Sequence, residues 1–211
     1  MLQIAFFLLV VRPLVLIFIG LNIRRRQLIP EKGPAIVCAN HNSHLDTLVI
    51  MSLFPLHSLH RVRPVAAADY WLKNRFLAWF SQTVMNIIPI DRKRKGEPGA
   101  NPLQLAEEAL KRNEIILIFP EGTRGEPERL AALRKGVARL AQKFPQAPVT
   151  PTYLRGLGKA LPRGEGILVP FFCDVFVGAP ITFEETGEQF METLSARMTE
   201  LSHEGYVADW D

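Results

Sequence analysis

Short apolar runs alternate with longer amphipathic segments along most of the chain. Apolar runs predict buried β-strands at residues 35–39, 62–68, 87–90 and 114–119, and the stretches "PVTPTYL" and "ILVPFFCDVFVG" predict two more. Helices are predicted between and after these strands, at residues 45–53, 70–83, 102–112, 128–144 and 185–204. Strands that alternate with helices are typical of α/β proteins. The pattern therefore predicts an α/β fold in which helices sandwich a mostly parallel sheet.

The first 23 residues form a nearly continuous apolar segment, long enough to cross the hydrocarbon core of a membrane. Arg12 lies near its middle, where an arginine costs about 2.5–3.5 kcal/mol on insertion scales, and Pro13 would kink a helix there. A secretory signal is disfavoured, because no positive region precedes the apolar run and no small-residue cleavage site follows it. We therefore predict a helix that either spans the bilayer or lies in one leaflet, and Arg12 and Pro13 favour the second arrangement.

Three arginines, residues 24–26, follow this segment and would hold its C-terminal end at the cytoplasmic side. They divide the chain into an N-terminal membrane-anchoring helical segment, residues 1–26, and a folded domain, residues 27–211. A length of 211 residues suits one α/β domain with a substantial core. Both membrane arrangements predict that the domain lies at the cytoplasmic face of the cell (inner) membrane.

The composition indicates a globular protein with a net positive charge. Hydrophobic residues make up 48% of the chain and charged residues 22%, as in ordinary globular proteins, which excludes a disordered chain. The net charge of +4 favours a negatively charged partner, such as a phosphate-bearing substrate, an anionic membrane or nucleic acid, without choosing among them. Cys38 and Cys173 lie in apolar runs and are predicted to be buried thiols in a reducing compartment.

The stretch "NHNSHLD", residues 40–46, places several polar side chains directly after a predicted strand. If a helix begins near Ser43, Asp46 falls in its first turn and its carboxylate can reach back to the imidazole of His41. A carboxylate bonded to one ring nitrogen fixes the tautomer and makes the other nitrogen a better base. The pair is thus the base and orienting residue of a catalytic triad without its nucleophile, which the substrate would then supply.

Three other interpretations of this stretch remain open. Ser43 is a rival nucleophile, although no G-x-S-x-G elbow is present and a serine here is better suited to capping the helix. A metal site formed by His44, His41 and Asp46 is the second interpretation, although the helical spacing and a further strong ligand are missing. A polar turn without any catalytic role is the third interpretation.

Two further polar stretches follow predicted strands. In "IPIDRKRKG", Arg92 could bind a phosphate with two hydrogen bonds. In "FPEGTRG", residues 119–125, a carboxylate, open backbone amides, a hydroxyl and a guanidinium come together, without the Gly-Lys-Ser/Thr ending of a P-loop. Because ligand sites of α/β sheets lie at the carboxyl ends of strands, this position favours a functional role for each of these stretches and for a fourth, residues 147–156.

Taken together, these stretches resemble the glycerolipid acyltransferase family, the lysophosphatidate acyltransferases and their relatives. The motif F-P-E-G-T-R matches residues 119–124 in full, and an apolar strand leading into a proline fits residues 149–152 loosely. Asn86 stands where the family's second motif commonly has a glycine. The motif N-H-x-S-x-x-D and the end of the second motif are matched by Asn40, His41, Ser43, Asp46, Ile90, Asp91 and Arg92.

The resemblance implies a direct acyl transfer at this site. His41 would be the general base that takes the proton from a hydroxyl of the acceptor, and Asp46 would orient His41. The hydroxyl would attack an acyl thioester, either acyl-CoA or acyl-carrier protein, which is a co-substrate; no cofactor and no metal are implied. The acceptor would be held by Arg92, Glu121, Gly122, Thr123 and Arg124.

The resemblance also implies a fold, a substrate and partners. The fold would be glycerol-3-phosphate acyltransferase-like, with residues 27–211 as the acyltransferase domain beside the membrane element. The acceptor would be lysophosphatidate, with glycerol 3-phosphate or another lyso-lipid as alternatives. Membrane lipids would be partners and nucleic acid would not. A lipid hydrolase, which would use water as acceptor, and a catalytically silent lipid-binding protein are the rival classes.

Overall fold

A seven-stranded, mostly parallel sheet forms the centre of the fold. The computed structural model describes residues 1–71, 73–91, 101–123, 125, 129–160 and 171–204. Within these residues the strand order is β1-β7-β6-β2-β5-β3-β4. Neighbouring strands are parallel except β6 and β7, so β7 and β1 run against the other five. The strands are β1 (Ile19–Arg24), β2 (Ala35–Ala39), β3 (Val62–Ala67), β4 (Ile88–Ile90), β5 (Ile115–Ile118), β6 (Val149–Arg155) and β7 (Phe171–Val177).

Helices cover both faces of this sheet. Short 3₁₀ turns occur at Arg26–Leu28, Leu56–Arg61 and Gly187–Gln189, and a π-helical turn, Phe7–Val11, joins the first two helices. The α-helices of the described residues are α1 (Leu2–Phe6), α2 (Arg12–Phe18), α3 (Leu45–Ser52), α4 (Ala68–Trp71), α5 (Arg75–Thr83), α6 (Gln104–Lys111), α7 (Gly136–Lys143), α8 (Leu157–Ala160), α9 (Phe183–Thr186) and α10 (Phe190–His203).

Alternate residues of the central strands face two separate cores. Val37 of β2 packs with α3 and the N-terminal helices on the first face, whereas Ile36 and Cys38 pack with α6, α7 and α10 on the second. Every residue of β2 and β5 is buried, as expected for parallel strands covered on both faces. The predicted mostly parallel sheet flanked by helices is confirmed. Cys38 and Cys173 are both buried free thiols, as predicted.

The N-terminal segment is helical over less of its length than predicted. The helix expected over residues 1–23 ends at Phe18, and Ile19–Arg24 form the edge strand β1, in register with β7 from Phe171 to Phe176. Gly20 is a poor helix former, and Asn22 donates a side-chain hydrogen bond to Asp174 of β7 (Nδ2–Oδ1, 2.8 Å), so the strand pairing replaces the helix. In the described part of the chain, no helix combines the length and the apolar character needed to cross a bilayer.

Buried side chains on this segment recur every four residues and face the sheet. They pack into the first core, while the side chains between them point outward: Leu9, Leu16 and Ile17 are 72%, 80% and 73% exposed. One stripe of the segment therefore belongs to the folded core, and the opposite stripe is an apolar surface. The buried residues of the stripe are Phe7, Val11, Val15 and Ile19.

The region predicted as one helix over residues 70–83 contains two helices, α4 and α5. The Asn74 side chain accepts a hydrogen bond from the Leu77 amide (2.7 Å) and starts α5. Phe80 packs edge-on against Phe6 of α1, with ring centroids 5.3 Å apart. Phe76 is 72% exposed and therefore lies outside the core.

The helix predicted over residues 128–144 begins only at Gly136 in the described residues. The reason is that backbone amides before it bond to the loop after β5 and not along a helix. The Ala131 N–H donates to Glu121 Oε2 (3.2 Å), and the Arg134 N–H donates to the carbonyl of Pro120 (2.8 Å). The chain is thereby drawn across the end of β5 before α7 starts.

Two smaller differences follow from backbone conformation. The closing helix predicted over residues 185–204 is interrupted at Gly187, whose φ of +55° is left-handed and ends α9. Asn86, the residue in the place of a common glycine, has φ +54°. Asparagine is one of the few residues that tolerate this conformation, so Asn86 can supply the turn that a glycine would supply.

Candidate active site

His41 and Asp46 are in contact at the carboxyl end of β2. The chain leaves β2 after Ala39 and enters α3 at Leu45, which places Asp46 in the first turn of the helix. The His41 ring nitrogen Nδ1 lies 2.9 Å from Asp46 Oδ2. Asp46 is completely buried, and the same oxygen accepts hydrogen bonds from the amides of Asn42 (2.6 Å) and Ser43 (2.8 Å). The predicted contact between the two side chains is confirmed.

This arrangement prepares one nitrogen of the imidazole to act as a base. A carboxylate at Nδ1 holds the proton there, so Nε2 carries the lone pair. Nε2 makes no hydrogen bond within the described residues, and 22% of the His41 side chain is accessible. The ring also stacks on Phe119, with centroids 4.2 Å apart and planes at 20°. His41 is therefore fixed in orientation and still reachable by a substrate.

Asn40 fixes the point where this loop leaves the sheet. Its side chain is buried, and it closes two hydrogen bonds with the backbone of Leu154 in β6: Oδ1 accepts from the amide at 2.7 Å and Nδ2 donates to the carbonyl at 2.9 Å. Sequence reasoning counted Asn40 as part of a motif without a role. The signal was an amide side chain at the end of a buried strand, where backbone groups need partners.

Ser43 caps an amide at the start of α3 from one residue before the N-cap position. The N-cap position is His44, one residue later, and no side-chain cap bond occurs there. The Ser43 hydroxyl accepts a hydrogen bond from the Leu45 amide at 3.3 Å. The carboxylate of Asp46 also binds the amides just before the helix.

Glu121 joins the loop after β5 to the His41 loop. Its side chain is buried; Oε1 accepts from the His41 amide (2.9 Å) and Oε2 from the Ala131 amide (3.2 Å). Burial raises the pKa of Glu121, and these two N–H bonds oppose that shift. Sequence reasoning expected this carboxylate to hold the acceptor, and that role stays a prediction; each oxygen accepts one main-chain N–H and keeps a second lone pair.

The other residues expected at the acceptor site are described only in part. Gly122 follows Glu121 with φ +73°, a conformation that suits glycine. Thr123 is exposed. Arg92 and Arg124 lie outside the described residues. The amide of Gly125 donates to the carbonyl of His41 (2.9 Å), which makes a second link between the two loops.

An apolar cleft of about 230 Å³ lies beside the histidine, at the carboxyl ends of β3, β4 and β5. Phe119 lies between His41 and the cleft, because its ring stacks on His41 and the residue also lines the cleft. Arg134 alone carries a charge among the lining residues that the structure describes. Sequence reasoning missed Arg134, because residues 128–144 were predicted to be one helix. The apolar lining residues include Val65, Ala67, Ile90, Leu103, Ile118 and Val137.

A metal site is not formed by the part of the chain that the structure describes. It contains no group of three or more His, Cys, Asp or Glu side chains that could hold an ion. The contacts of the Asp46 carboxylate with His41, Asn42 and Ser43 all fall on one oxygen, Oδ2.

Comparisons with known proteins agree with this geometry. The chain is 30% identical over 166 residues to the chloroplastic 1-acyl-sn-glycerol-3-phosphate acyltransferase of Arabidopsis thaliana, covering 78% of this chain and 44% of the relative. It is 28% identical over 168 residues to the sheep (Ovis aries) 1-acyl-sn-glycerol-3-phosphate acyltransferase alpha, covering 79% and 55%. The chain thus spans about half the length of these relatives.

The fold and the family are both recognised. The crystal structure of the 1-acyl-sn-glycerophosphate (LPA) acyltransferase from Thermotoga maritima has the same fold, with a TM-score of 0.74 at 20% identity over 98% of this chain and 79% of that chain. The sequence model of the family described as Acyltransferase matches residues 20–155, which include β1 to β6 and the His41 and Glu121 loops. The chain therefore belongs to the acyltransferase family.

Proposed function

We propose that this protein transfers a fatty acyl group from an acyl thioester to the hydroxyl of a lysophospholipid. The observation that carries the proposal is the contact between His41 and the buried Asp46 beside an apolar cleft. A polar turn alone would not require a carboxylate to bind the imidazole. An apolar cleft next to a base suits a substrate with a hydrocarbon chain.

The reaction needs one base and no covalent enzyme intermediate. Nε2 of His41 takes the proton from the acceptor hydroxyl while the oxygen attacks the carbonyl carbon of the thioester. The new C–O bond forms and the C–S bond breaks, and the proton passes from His41 to the sulfur of the departing thiol. Asp46 stabilises the imidazolium between these two transfers. The donor is acyl-CoA or acyl-carrier protein, both of which supply the same thioester.

The acceptor we propose is lysophosphatidate, which would become phosphatidate. Support comes from the relatives, which are named 1-acyl-sn-glycerol-3-phosphate acyltransferases. Arg92, Glu121, Gly122, Thr123 and Arg124 remain the proposed acceptor-binding residues. Glycerol 3-phosphate or another lyso-lipid would use the same machinery and is the alternative acceptor. A catalytically silent lipid-binding protein is the alternative of another class.

We also propose that the N-terminal segment, residues 1–26, holds the domain, residues 27–211, at the cytoplasmic face of the cell membrane. The support is the stripe of exposed Leu9, Leu16 and Ile17, together with Phe76 on the neighbouring helix α5. A helix with an apolar outer stripe suits the membrane interface. Arg25 and Arg26 are partly engaged with the protein itself, through Glu204 and the carbonyl of Leu53.

The test measures product formation by the purified full chain in lipid vesicles. With labelled acyl-CoA and lysophosphatidate, the wild type should form labelled phosphatidate, and His41→Ala should lower kcat by about 10²- to 10⁴-fold. Asp46→Asn should also lower kcat, because the amide oxygen can accept the same bonds without the charge. His57→Ala, which changes an exposed histidine, is the matched control.

Three outcomes would overturn the proposal. Near-normal turnover in His41→Ala would exclude this residue as the base. Release of free fatty acid without an ester product would indicate a hydrolase. Lipid binding without any turnover, with every acceptor and with either donor, would indicate the silent lipid-binding protein.

A further inference from the structure

Arg134 is a cation in a cleft whose other described lining residues are uncharged. The cleft walls come from β3, β4, β5 and the beginning of α7, and they are mainly aliphatic. Arg134 lies just before α7 and remains exposed to solvent. An arginine at the wall of an apolar cleft is positioned to bind the anionic group of a ligand that also carries a hydrocarbon part.

The Nε atom of the Arg134 guanidinium is bound to the protein, and its two terminal nitrogens are available to a ligand. Its Nε donates to the carbonyl of Glu121 at 3.1 Å, and the backbone amide of Arg134 donates to the carbonyl of Pro120 at 2.8 Å. The terminal nitrogens make no hydrogen bond or ion pair within the described residues. The carboxylate of Glu121 accepts from the amides of His41 and Ala131.

Gly122 makes room for this guanidinium. A Cβ atom at Gly122 would lie 2.7 Å from Nε and 2.9 Å from Cδ of Arg134, closer than real Cβ contacts come. The left-handed φ of +73° also disfavours a side chain at this position. The glycine of the F-P-E-G-T-R stretch therefore lets Arg134, which lies outside that stretch, reach the cleft.

The same residue, Glu121, positions both the base and this cation. Its side chain binds the backbone of His41, and its carbonyl binds the side chain of Arg134. A ligand group that binds Arg134 is consequently held at a fixed distance from the imidazole of His41. Binding of one part of a substrate at Arg134 would therefore position its reacting group near the base.

We propose that Arg134 binds a phosphate group of a substrate in this cleft. The inference rests on the proposed acyl transfer, in which both substrates carry phosphate: the lyso-lipid acceptor in its headgroup, and the thioester donor in its CoA or phosphopantetheine part. A guanidinium matches phosphate with two parallel N–H bonds, and the two terminal nitrogens of Arg134 can supply them. The aliphatic walls of the cleft contact the hydrocarbon part of the same molecule.

The test separates the two possible sources of phosphate by their KM values. In Arg134→Gln, the KM of the substrate whose phosphate is bound should rise by about 10- to 100-fold, the usual effect of losing bonds between charged groups. Arg134→Lys keeps the charge but cannot form two parallel N–H bonds, so it should show a smaller rise in KM. A rise for lysophosphatidate alone identifies the acceptor, and a rise for acyl-CoA alone identifies the donor.

Two controls make the result specific. Arg139→Gln removes an equally exposed arginine on α7 itself and should leave both KM values unchanged. Monoacylglycerol, an acceptor without phosphate, should show the same KM with the wild type and with Arg134→Gln if the acceptor phosphate is the ligand. Thermal unfolding of Arg134→Gln should match the wild type, because glutamine can still donate to the carbonyl of Glu121.

Equilibrium binding tests Arg134 separately from the chemistry. Binding of lysophosphatidate vesicles and of a non-hydrolysable acyl-CoA analogue is measured in the His41→Ala background, with and without Arg134→Gln. Weaker binding of one ligand supports the proposal even if the wild type transfers no acyl group, which would contradict only the proposed function. Unchanged KM values and unchanged binding in Arg134→Gln, or equal losses in Arg139→Gln, would overturn it.

Discussion

Glu121 is the residue on which the geometry of the site converges. Its two carboxylate oxygens accept from the amides of His41 and Ala131, and its carbonyl accepts from Arg134. A carboxylate is suited to this because it offers two acceptors and no donor. Glu121 therefore acts as a positioning residue for the base and for the cation.

A Glu121→Gln substitution tests this role at the residue scale. Glutamine keeps one acceptor but turns an N–H group toward one of the two amides, which should cost about 1–3 kcal/mol of stability. Because the change displaces the His41 loop, kcat should fall while the KM values change less. Urea unfolding and steady-state kinetics measure both effects, and Glu188→Gln, an exposed glutamate, is the control. A large rise in KM with normal stability would instead support direct substrate contact.

The raised pKa of Glu121 makes the stability of the fold depend on pH. Burial raises this pKa above the ordinary value of 4.5, so the folded chain keeps a proton that the unfolded chain releases. The carboxyl's contribution to stability is present below the ordinary pKa and is lost as the pH rises through the folded value. The free energy of unfolding of the wild type, relative to Glu121→Gln, should therefore decrease with rising pH across that window and then level off.

At the scale of elements, two asparagines join strands in different environments. Asn40 is buried and links the end of β2 to Leu154 of β6 through two hydrogen bonds. Asn22 is exposed and links β1 to Asp174 of β7 through one. Buried polar partners are costly to leave unpaired, whereas water replaces exposed ones. The connection between β2 and β6 should thus depend on its asparagine far more than the connection between β1 and β7.

Asn40→Ala should lower the free energy of unfolding by about 1–3 kcal/mol, since it leaves the amide of Leu154 buried without this partner. Asn22→Ala should change it by about 0.5 kcal/mol or less. Urea unfolding of both variants gives the comparison directly. Acyl transfer should fall in Asn40→Ala alone, because the loop that carries His41 starts at this residue. Equal losses of stability in the two variants would show that burial does not set the strength of these links.

The sequence pattern predicted the elements better than their ends. β2 and β5 were predictable because continuous apolar runs between turn residues leave few alternatives to a buried strand. The late start of α7 was not, because the amides of Ala131 and Arg134 bond to residues ten or more positions away. The strand β1 was hidden in the same way, since an edge strand formed with Phe171–Val177 cannot be read from local apolar periodicity.

At the scale of the whole molecule, the parallel sheet brings residues from distant parts of the chain to one edge. The rule that sites collect at the carboxyl ends of strands was sufficient to predict that the His41 loop and the Glu121 loop meet. It was not sufficient to predict which groups would face a ligand. Glu121 turned out to bind the main chain, and Arg134 entered the cleft through a loop path that depends on tertiary hydrogen bonds.

The N-terminal segment, residues 1–26, is part of the fold as well as the proposed membrane contact. Phe7, Val11 and Val15 are part of the first core, and β1 completes the sheet edge. Deleting residues 1–26 would therefore damage the fold and the proposed membrane contact together. The two roles lie on opposite stripes of the segment, so substitutions confined to the exposed stripe can separate them.

Replacing the exposed stripe should release the protein from membranes without unfolding it. The triple variant Leu9→Gln, Leu16→Gln, Ile17→Gln removes three side chains that are at least 72% exposed. Each inserted aliphatic side chain contributes about 1–2 kcal/mol, so partitioning into anionic vesicles should fall by about 100-fold or more. The free energy of unfolding should change little, because exposed positions rarely contribute more than about 0.5 kcal/mol.

The matched comparison is Leu16→Gln against Leu105→Gln, an exposed leucine on α6, which covers the opposite face of the sheet. Co-sedimentation with vesicles containing phosphatidylglycerol measures binding, and urea unfolding confirms that each variant is folded. Loss of binding in Leu16→Gln alone would assign the membrane contact to the N-terminal stripe. Full binding by the triple variant would contradict that contact and direct attention to Phe76 and Trp79, the exposed aromatic residues of α5.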